Sequence, residues 1–337
     1  MIASGKRPAN GHNARLNPCT QRQIMKEVEI LSVGPLYAPS FESMLRDFTV
    51  HALWQAKDRA ALIAEVGDRI RGIQTNASAG ADAGLIAALP RLEIISSLGV
   101  GVDPIDMDAA RRRGVIVTNT PELLNDCVAD LAMGLVLATV RRIGLGDRFV
   151  RAGSWLKGPL PFTHKVGGMT MGILGYGKIG KAIAKRAEAF GMHIVYHGRH
   201  EQPGVPHKFY AGLTEMARNC DVLVVICPGG EATRHIVNAE VMQALGPAGT
   251  LINVARGSVV DEQALVKALA DGTLGAAGLD VFESEPHVPE ALFAMDQVVL
   301  QPHVGTATHE TRKAMSDLAV DNLRAHFAGK PALTPVA

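Results

Sequence analysis

Short apolar, β-branched runs alternate with stretches whose apolar positions recur at helical spacing, a rhythm that starts at Val28. The runs VEILSVG from 28, IRGIQTN from 70, LEIISSLG from 92 and VIVTN from 115 read as strands, with helical patterns such as ADAGLIAAL and PIDMDAARRRG among them. Strand–helix alternation of this kind points to parallel sheets covered by helices on both faces. A second series follows: MGILG (171–175), HIVYH (193–197), DVLVVIC (221–227), GTLINVA (249–255), AAGLDVF (276–282) and QVVLQP (297–302). Six parallel strands are what a complete dinucleotide fold uses. The pattern therefore predicts an α/β chain with two doubly wound parallel-sheet domains.

Between the two series, residues 122–153 are apolar over many turns and read as one extended helix or as two joined at the glycines. Burial inside one subunit and packing against a second both fit such a segment, and a homodimer is the favoured expectation. After His303, HETRKAMSDLAVDNLRAHFAGKP reads as an amphipathic helix ended by Gly329 and Pro331. It has no strand series of its own and can pack back on the first domain. The expected organisation is a tail at 1–24, a substrate domain from 25–120 plus 303–337, and a cofactor domain at 121–302.

The 337 residues are 47% hydrophobic and 20% charged, enough for about two globular domains. A formal net charge of +1 and the lack of a basic cluster interleaved with aromatics argue against a nucleic-acid partner. The longest apolar run, LAMGLVLATV at 131–140, is too short for the ~20 residues that cross a bilayer, so no membrane partner is expected. Cys19, Cys127, Cys220 and Cys227 form no C-x-x-C pair, which suits a reducing cytoplasm. Residues 1–24 carry four basic residues, no acid and no apolar core of the secretory kind, and read as a flexible tail.

Chemistry first becomes legible at Gly175, Gly177 and Gly180, which follow the strand MGILG with G-x-G-x-x-G spacing and open a helical pattern. The first glycine suits a tight turn, the second lets a pyrophosphate approach the backbone, and the third lets helix close on strand. A unit of this kind usually carries an acid roughly 20 residues later, where it accepts the ribose hydroxyls of NAD and repels a 2′-phosphate. Here the next strand ends in Gly198, Arg199 and His200. Glycine leaves room, arginine offers a bidentate phosphate donor and histidine a second one, so NADP(H) is favoured, with NAD(H) possible.

Three polar residues stand at ends of later strands, where open α/β sheets bind ligands: Arg256, Glu285 and His303. Arginine can hold a carboxylate, histidine can give a proton to a carbonyl oxygen as hydride arrives at carbon, and glutamate beside histidine would stabilise the imidazolium. Taken singly, an arginine after a strand is usually a surface charge and a lone histidine usually structural, and the spacing between them proves nothing. His193, His197, His200 and His207 do not suggest a metal site. The two that share a strand face stand roughly 13 Å apart, with no acid or thiol to complete a set.

ILGYGKIGKAIAKRAEAFGM, INVARGSVVDEQALVKAL, AAGLDVFESEP and QPHVGTATHETRKAM, in unbroken order, resemble successive signatures of the D-2-hydroxyacid dehydrogenase family. The likeness continues upstream through SLGVGVDPIDMDAARRRGVIVTNTPELLNDCVADLAMGL, and so covers about Val28 to the end. It implies a flavodoxin-like substrate domain and a Rossmann cofactor domain. Within the family, YHGRH, SWLKGPLPFTHKVGGMTMGILG and KPALTPVA are most similar to hydroxypyruvate and glyoxylate reductases, including those acting on hydroxyphenylpyruvate.

The resemblance implies Arg256 as substrate binder, Glu285 as partner of the histidine, and His303 as proton donor and substrate contact. It implies that the backbone of Val100 and Gly101 receives the substrate carboxylate from the other domain. For the cofactor it points to Tyr176, Gly177, Lys178 and Ile179, to Gly198, Arg199 and His200, to Cys227 and Pro228 near the adenosine, and to Val254, Ala255 and Asp280 near the nicotinamide. Tyr176 stands where Leu is frequent in the family, Thr306 where Ser is usual, and Asn125 where Thr is frequent, departures that bear on fine specificity.

The expected activity is reduction of a small 2-oxo acid to the D-2-hydroxy acid. An aryl-pyruvate reductase is an alternative, and so is a phosphoglycerate dehydrogenase-like enzyme, although many of those carry a C-terminal regulatory domain and the acid that is missing here. A cofactor-sensing protein resembling the family's corepressor relatives is the non-enzyme alternative.

Overall fold

The computed structural model describes residues 25–336, so the tail at 1–24, with Cys19, lies outside the described residues. These residues form two compact units. One comprises the chain up to Leu98, Pro104–Asn119 and the chain from Ser316, and the other comprises Gly99–Asp103 and Thr120–Met315. Against the divisions expected at 120 and 303, the chain passes between units at Asn119/Thr120 and at Met315/Ser316, and Gly99–Asp103 is set apart from its neighbours. Gly99–Asp103 joins the larger unit because the Thr120 amide donates to the Gly99 carbonyl at 2.9 Å, while the Gly99 amide donates to Thr120 Oγ1 at 2.9 Å.

In the smaller unit, β1 (Glu29–Ser32), β2 (Thr49–Ala52), β3 (Ile70–Asn76), β4 (Ile94–Leu98) and β5 (Ile116–Thr118) form a parallel sheet in the order β2-β1-β3-β4-β5. This is the flavodoxin-like order. Helices α1 (Ala38–Asp47), α2 (Arg59–Val66), α3 (Ala83–Ala87) and α4 (Met107–Arg112) cover it. Asp58, Asp82 and Asp106 start the last three by accepting an amide three residues on, which satisfies a helix-end donor and stabilises each by about 1 kcal/mol. Strand β2 has no apolar run to announce it. It sits at the sheet edge, every residue is only half-buried, and the sequence pattern there is weak.

The larger unit carries β6 (Thr170–Leu174), β7 (His193–His197), β8 (Lys208–Phe209), β9 (Val222–Val225), β10 (Thr250–Asn253), β11 (Ala276–Leu279) and β12 (Val298–Leu300). All pairings are parallel, in the order β12-β11-β10-β9-β6-β7-β8. The sheet has seven strands where six were expected, because β8 is a two-residue edge strand too short to show a period. Strand order reverses between β6 and β9, and ligands of open α/β sheets bind outside the strand ends at such a point.

The segment expected as one helix or two joined at glycines is two: α5 (Asn125–Val140) and α6 (Ile143–Arg151). They part at Arg141 and Arg142, not at a glycine, and Arg142 takes a left-handed φ of 49°. Gly134, Gly144 and Gly146 all lie inside helices. Helices α7 (Lys178–Ala189), α8 (Leu213–Arg218), α9 (Ala239–Leu245) and α10 (Glu262–Ala270) complete the cover.

The C-terminal α11 (His309–Phe327) starts in the larger unit and from Ser316 belongs to the smaller. Ser316 Oγ accepts the Tyr37 amide, Ser40 donates to Asp317, and Arg324 donates to Asp47 at 2.7 Å. Val320 and Leu323 enter the core of that unit beside Ile30, Met44, Phe48 and Ile94. Among the described residues no helix is long and apolar enough to cross a membrane.

Candidate functional site

The strand ends of the larger unit bring together most of the residues singled out from the sequence. β6 stops at Leu174 and the chain turns at Gly175, whose φ of 101° suits glycine. A Cβ there would also lie 2.5 Å from the Cys227 amide nitrogen. At Gly180 a Cβ would fall 2.4 Å from the Gly175 carbonyl oxygen, so α7 can close on its strand only without a side chain. Gly177 differs, since a Cβ there meets nothing within 4 Å. It is the N-cap of α7, and no side chain caps the helix's first amides. An uncapped N-terminus behind an open glycine fits the pyrophosphate of a dinucleotide.

The other residues expected near a cofactor have varied surroundings. Ile179 is half-buried in the first turn of α7, and Lys178 is ion-paired with Glu122. The Tyr176 ring is buried against Tyr196, with centroids 4.6 Å apart, and burial, aided by the charges of Glu188 and Tyr196, pushes its hydroxyl up to about 12. Its side chain thus packs into the unit and its carbonyl accepts from Gln202. Cys227 is buried in the core, which pushes its thiol up to about 11, and the exposed Pro228 accepts the Thr233 hydroxyl. Gly198 is open, with nothing within 4 Å of a Cβ, and Arg199 and His200 are exposed beside it.

At the end of β10 the fully buried Asn253 accepts the Ala255 amide and donates to the Arg256 carbonyl, forming a side-chain-closed turn through Val254 and Ala255. The turn aims Arg256. The Arg256 guanidinium donates through Nη1 to the Ala255 carbonyl at 2.7 Å, and Nε lies 3.3 Å from Asp103 Oδ2. Gly101 gives it space, as a Cβ there would meet Arg256 Nη2 before any other atom. Val100 and Gly101, expected in the substrate domain, therefore belong to the larger unit, and Gly101 adjoins the arginine.

At the end of β11 the Asp280 carboxylate is buried and accepts the amides of Val304 and Gly305 at 2.7 and 2.9 Å. Its carbonyl accepts the His303 amide. Burial raises the Asp280 carboxyl, against the lowering effect of those two amides and the His303 charge. The turn so gripped holds His303 at a left-handed φ of 54°, a conformation that persists in a non-glycine residue only when surrounding bonds enforce it.

His303 Nδ1 donates to Glu285 Oε2 at 2.8 Å, and the other carboxylate oxygen accepts the Phe282 amide. Because ionised carboxylate only accepts, Nδ1 carries the hydrogen and Nε2 is the nitrogen left for other chemistry. Burial alone would raise the Glu285 carboxyl. The His303 hydrogen bond and charge, the Phe282 amide and the Arg256 charge together hold it below its usual value. Arg256, Glu285 and His303 thus share one electrostatic site, whereas Arg199 and His200 lie past β7. Asp103 and Asn253 escaped the sequence reading. Asp103 had a signal in its place two residues after Gly101, and Asn253 had none, being one polar residue in an apolar strand.

A Rossmann-order sheet with an open glycine loop and a carboxylate-oriented histidine beside an arginine defines a dinucleotide-binding oxidoreductase. Residues 133–305 match the family model described as "D-isomer specific 2-hydroxyacid dehydrogenase, NAD binding domain". The chain is 50% identical over 312 residues to glyoxylate/hydroxypyruvate reductase A of Arabidopsis thaliana, covering 93% of this chain and 100% of the relative. It is 49% identical to hydroxyphenylpyruvate reductase of Plectranthus scutellarioides, with the same coverage. Among solved structures, the NADPH-dependent glyoxylate/hydroxypyruvate reductase of Sinorhizobium meliloti, in complex with NADP and malonate, superposes with a TM-score of 0.85. That match has 43% identity and covers 92% of this chain and 97% of the other. The chain belongs to the D-isomer specific 2-hydroxyacid dehydrogenase family, whose members use NAD(P)H to reduce 2-oxo acids to D-2-hydroxy acids.

Proposed function

We propose that this enzyme is an NADPH-preferring reductase of glyoxylate or hydroxypyruvate, forming the D-2-hydroxy acid. The observation that carries the reading is the His303–Glu285 pair at 2.8 Å, on a carboxylate that also feels the Arg256 charge. Arg256 takes the substrate carboxylate, with the Val100 and Gly101 backbone beside it, and polarises the adjacent carbonyl. Bound NADPH supplies the hydride. His303, oriented by Glu285 through Nδ1, gives the Nε2 proton to the substrate oxygen, and Asp280 keeps the His303 turn in place. Asp103 holds Arg256 from the Nε side, which leaves Nη2 for substrate.

On the cofactor side, Gly175, Gly177 and Gly180 with Lys178 and Ile179 frame the pyrophosphate, and Arg199 and His200 meet the 2′-phosphate. Cys227, Pro228, Val254, Ala255 and Asp280 border the remainder, and Tyr176 contributes through its backbone. The smaller unit is the substrate domain and the larger the cofactor domain. The protein works as a homodimer in the cytoplasm. Support for the dimer comes from α6, which buries no residue although Ile143 and Val150 are apolar, and from the nearly wholly exposed Leu156 and Phe162 that follow. Light scattering with Leu156→Glu and Phe162→Glu tests it, monomers being expected from the variants. The three described cysteines are free, which suits a reducing compartment.

A steady-state panel of glyoxylate, hydroxypyruvate and 4-hydroxyphenylpyruvate, each with NADPH and NADH, tests the activity. Higher kcat/KM with NADPH on one of the first two is expected. Preference for the aryl pyruvate would move the substrate to the alternative named for the Plectranthus relative, preference for NADH would overturn the cofactor assignment, and no turnover would favour the corepressor-like reading.

A further inference from the structure

The loop after β7 presents a physical problem. Arg199 and His200 are exposed, and a flexible loop carrying them would lose conformational freedom on meeting a phosphate, at a cost in affinity. Gln202, in the same loop, is anchored at two points. Its backbone amide donates to the Tyr196 hydroxyl at 2.8 Å and its side-chain amide donates to the Tyr176 carbonyl at 2.6 Å. Both acceptors are firmly set. Tyr196 is 1% exposed, packed between Tyr176 at 4.6 Å and Phe209 at 5.4 Å between centroids, and Tyr176 is the residue between the first two glycines of the nucleotide loop.

We propose that Gln202 and the Tyr196 hydroxyl are positioning residues for cofactor selection: they tie the loop bearing Arg199 and His200 to the glycine loop, so that a 2′-phosphate meets donors already in place. The inference rests on the NADPH reading above. Neither residue touches the phosphate. They act through Arg199 and His200, and this separates the idea from a merely structural role. A structural defect weakens adenine nucleotides with and without the phosphate alike, whereas loss of positioning weakens only the first.

The test measures binding by calorimetry with 2′,5′-ADP and with 5′-AMP, alongside kcat/KM with NADPH and NADH, for Arg199→Ala, Gln202→Ala, Tyr196→Phe and the Arg199→Ala/Gln202→Ala double variant. Tyr196→Phe keeps the ring in its packing and removes only the hydroxyl, so it remains informative if Gln202→Ala folds poorly. Arg199→Ala should weaken 2′,5′-ADP tenfold or more. Gln202→Ala and Tyr196→Phe should each weaken it about three- to tenfold, with 5′-AMP and NADH within about twofold, and the double variant should be weakened by clearly less than the product of the two single effects. Equal weakening of both probes, no change in either, or full additivity in the double variant would overturn the inference while leaving the NADPH reading intact. An Arg199→Ala variant that still distinguishes the two probes as the parent does would overturn the NADPH reading and the inference with it.

Discussion

The corner around Arg256, Glu285 and His303 and the loop around Arg199 serve one proposed reaction and are built on opposite principles. In the corner, every group is aimed by short bonds from buried residues: Asn253 closes the turn before Arg256, Asp280 takes two amides of the turn that carries His303, and the Phe282 amide fixes Glu285. In the loop, the charged side chains stand in solvent and only the backbone beneath them is tied down, through Gln202. Proton transfer demands a donor within hydrogen-bond reach of one oxygen, whereas a phosphate dianion accepts several donors from a range of directions. Precision is concentrated where a displacement of about an ångström costs most.

The contrast can be broken most sharply at His303. Replacing it with alanine should lower kcat by about 10²- to 10⁴-fold, with the Kd for NADPH within about twofold. An unchanged kcat would remove the histidine from the mechanism. Arg256→Ala comes next. Hydrogen bonds to charged groups contribute about 1.5–3 kcal/mol, so KM for the 2-oxo acid should rise at least tenfold with NADPH binding unaffected. Weaker NADPH binding with an unaltered substrate KM would reverse its assignment.

Glu285 sharpens the comparison through pH. Its carboxyl lies below its ordinary 4.5 in the folded protein, so ionisation favours the fold. That contribution is fully present above pH 4.5 and is lost as the pH falls through the lowered value. The difference in melting temperature between the parent and Glu285→Gln should therefore be largest near neutral pH and should shrink on acidification. A difference that stays constant down to about pH 3 would mean that the charge contributes nothing to stability.

The smallest effect is expected at Asp103. It touches Arg256 at 3.3 Å, both side chains are about 30% exposed, and its alanine variant should raise KM for the 2-oxo acid only a few-fold at unchanged kcat. A drop in kcat with KM unchanged would make Asp103 part of the chemical step.

Much of the architecture was legible in the chain because buried parallel strands are apolar along their whole length, as Val222–Val225 illustrates. What escaped was short or at an edge. Thr49–Ala52 is half-buried and Lys208–Phe209 is two residues long, so neither has room for a pattern. The helix break at Arg142 was invisible for a related reason: arginine in a left-handed conformation has no sequence signature, whereas glycine drew attention to itself. At the site, the motif residues were nameable, but their supports were not. Asn253 reads as a polar interruption of a strand until its two bonds are seen.

The sequence by itself determined the α/β class, the glycine loop, the absence of an acid after the second strand and the three polar strand ends, because each depends on local periodicity or on residues a few positions apart. Only the tertiary structure decided that Glu285 and His303, 18 positions apart, meet at 2.8 Å, that Gly99–Asp103 belongs to the larger unit beside Arg256, and that Tyr176 buries its ring against Tyr196. Those outcomes depend on which buried side chains pack together and which backbone amides they satisfy, and contacts between residues distant in sequence leave no mark on any one stretch of it.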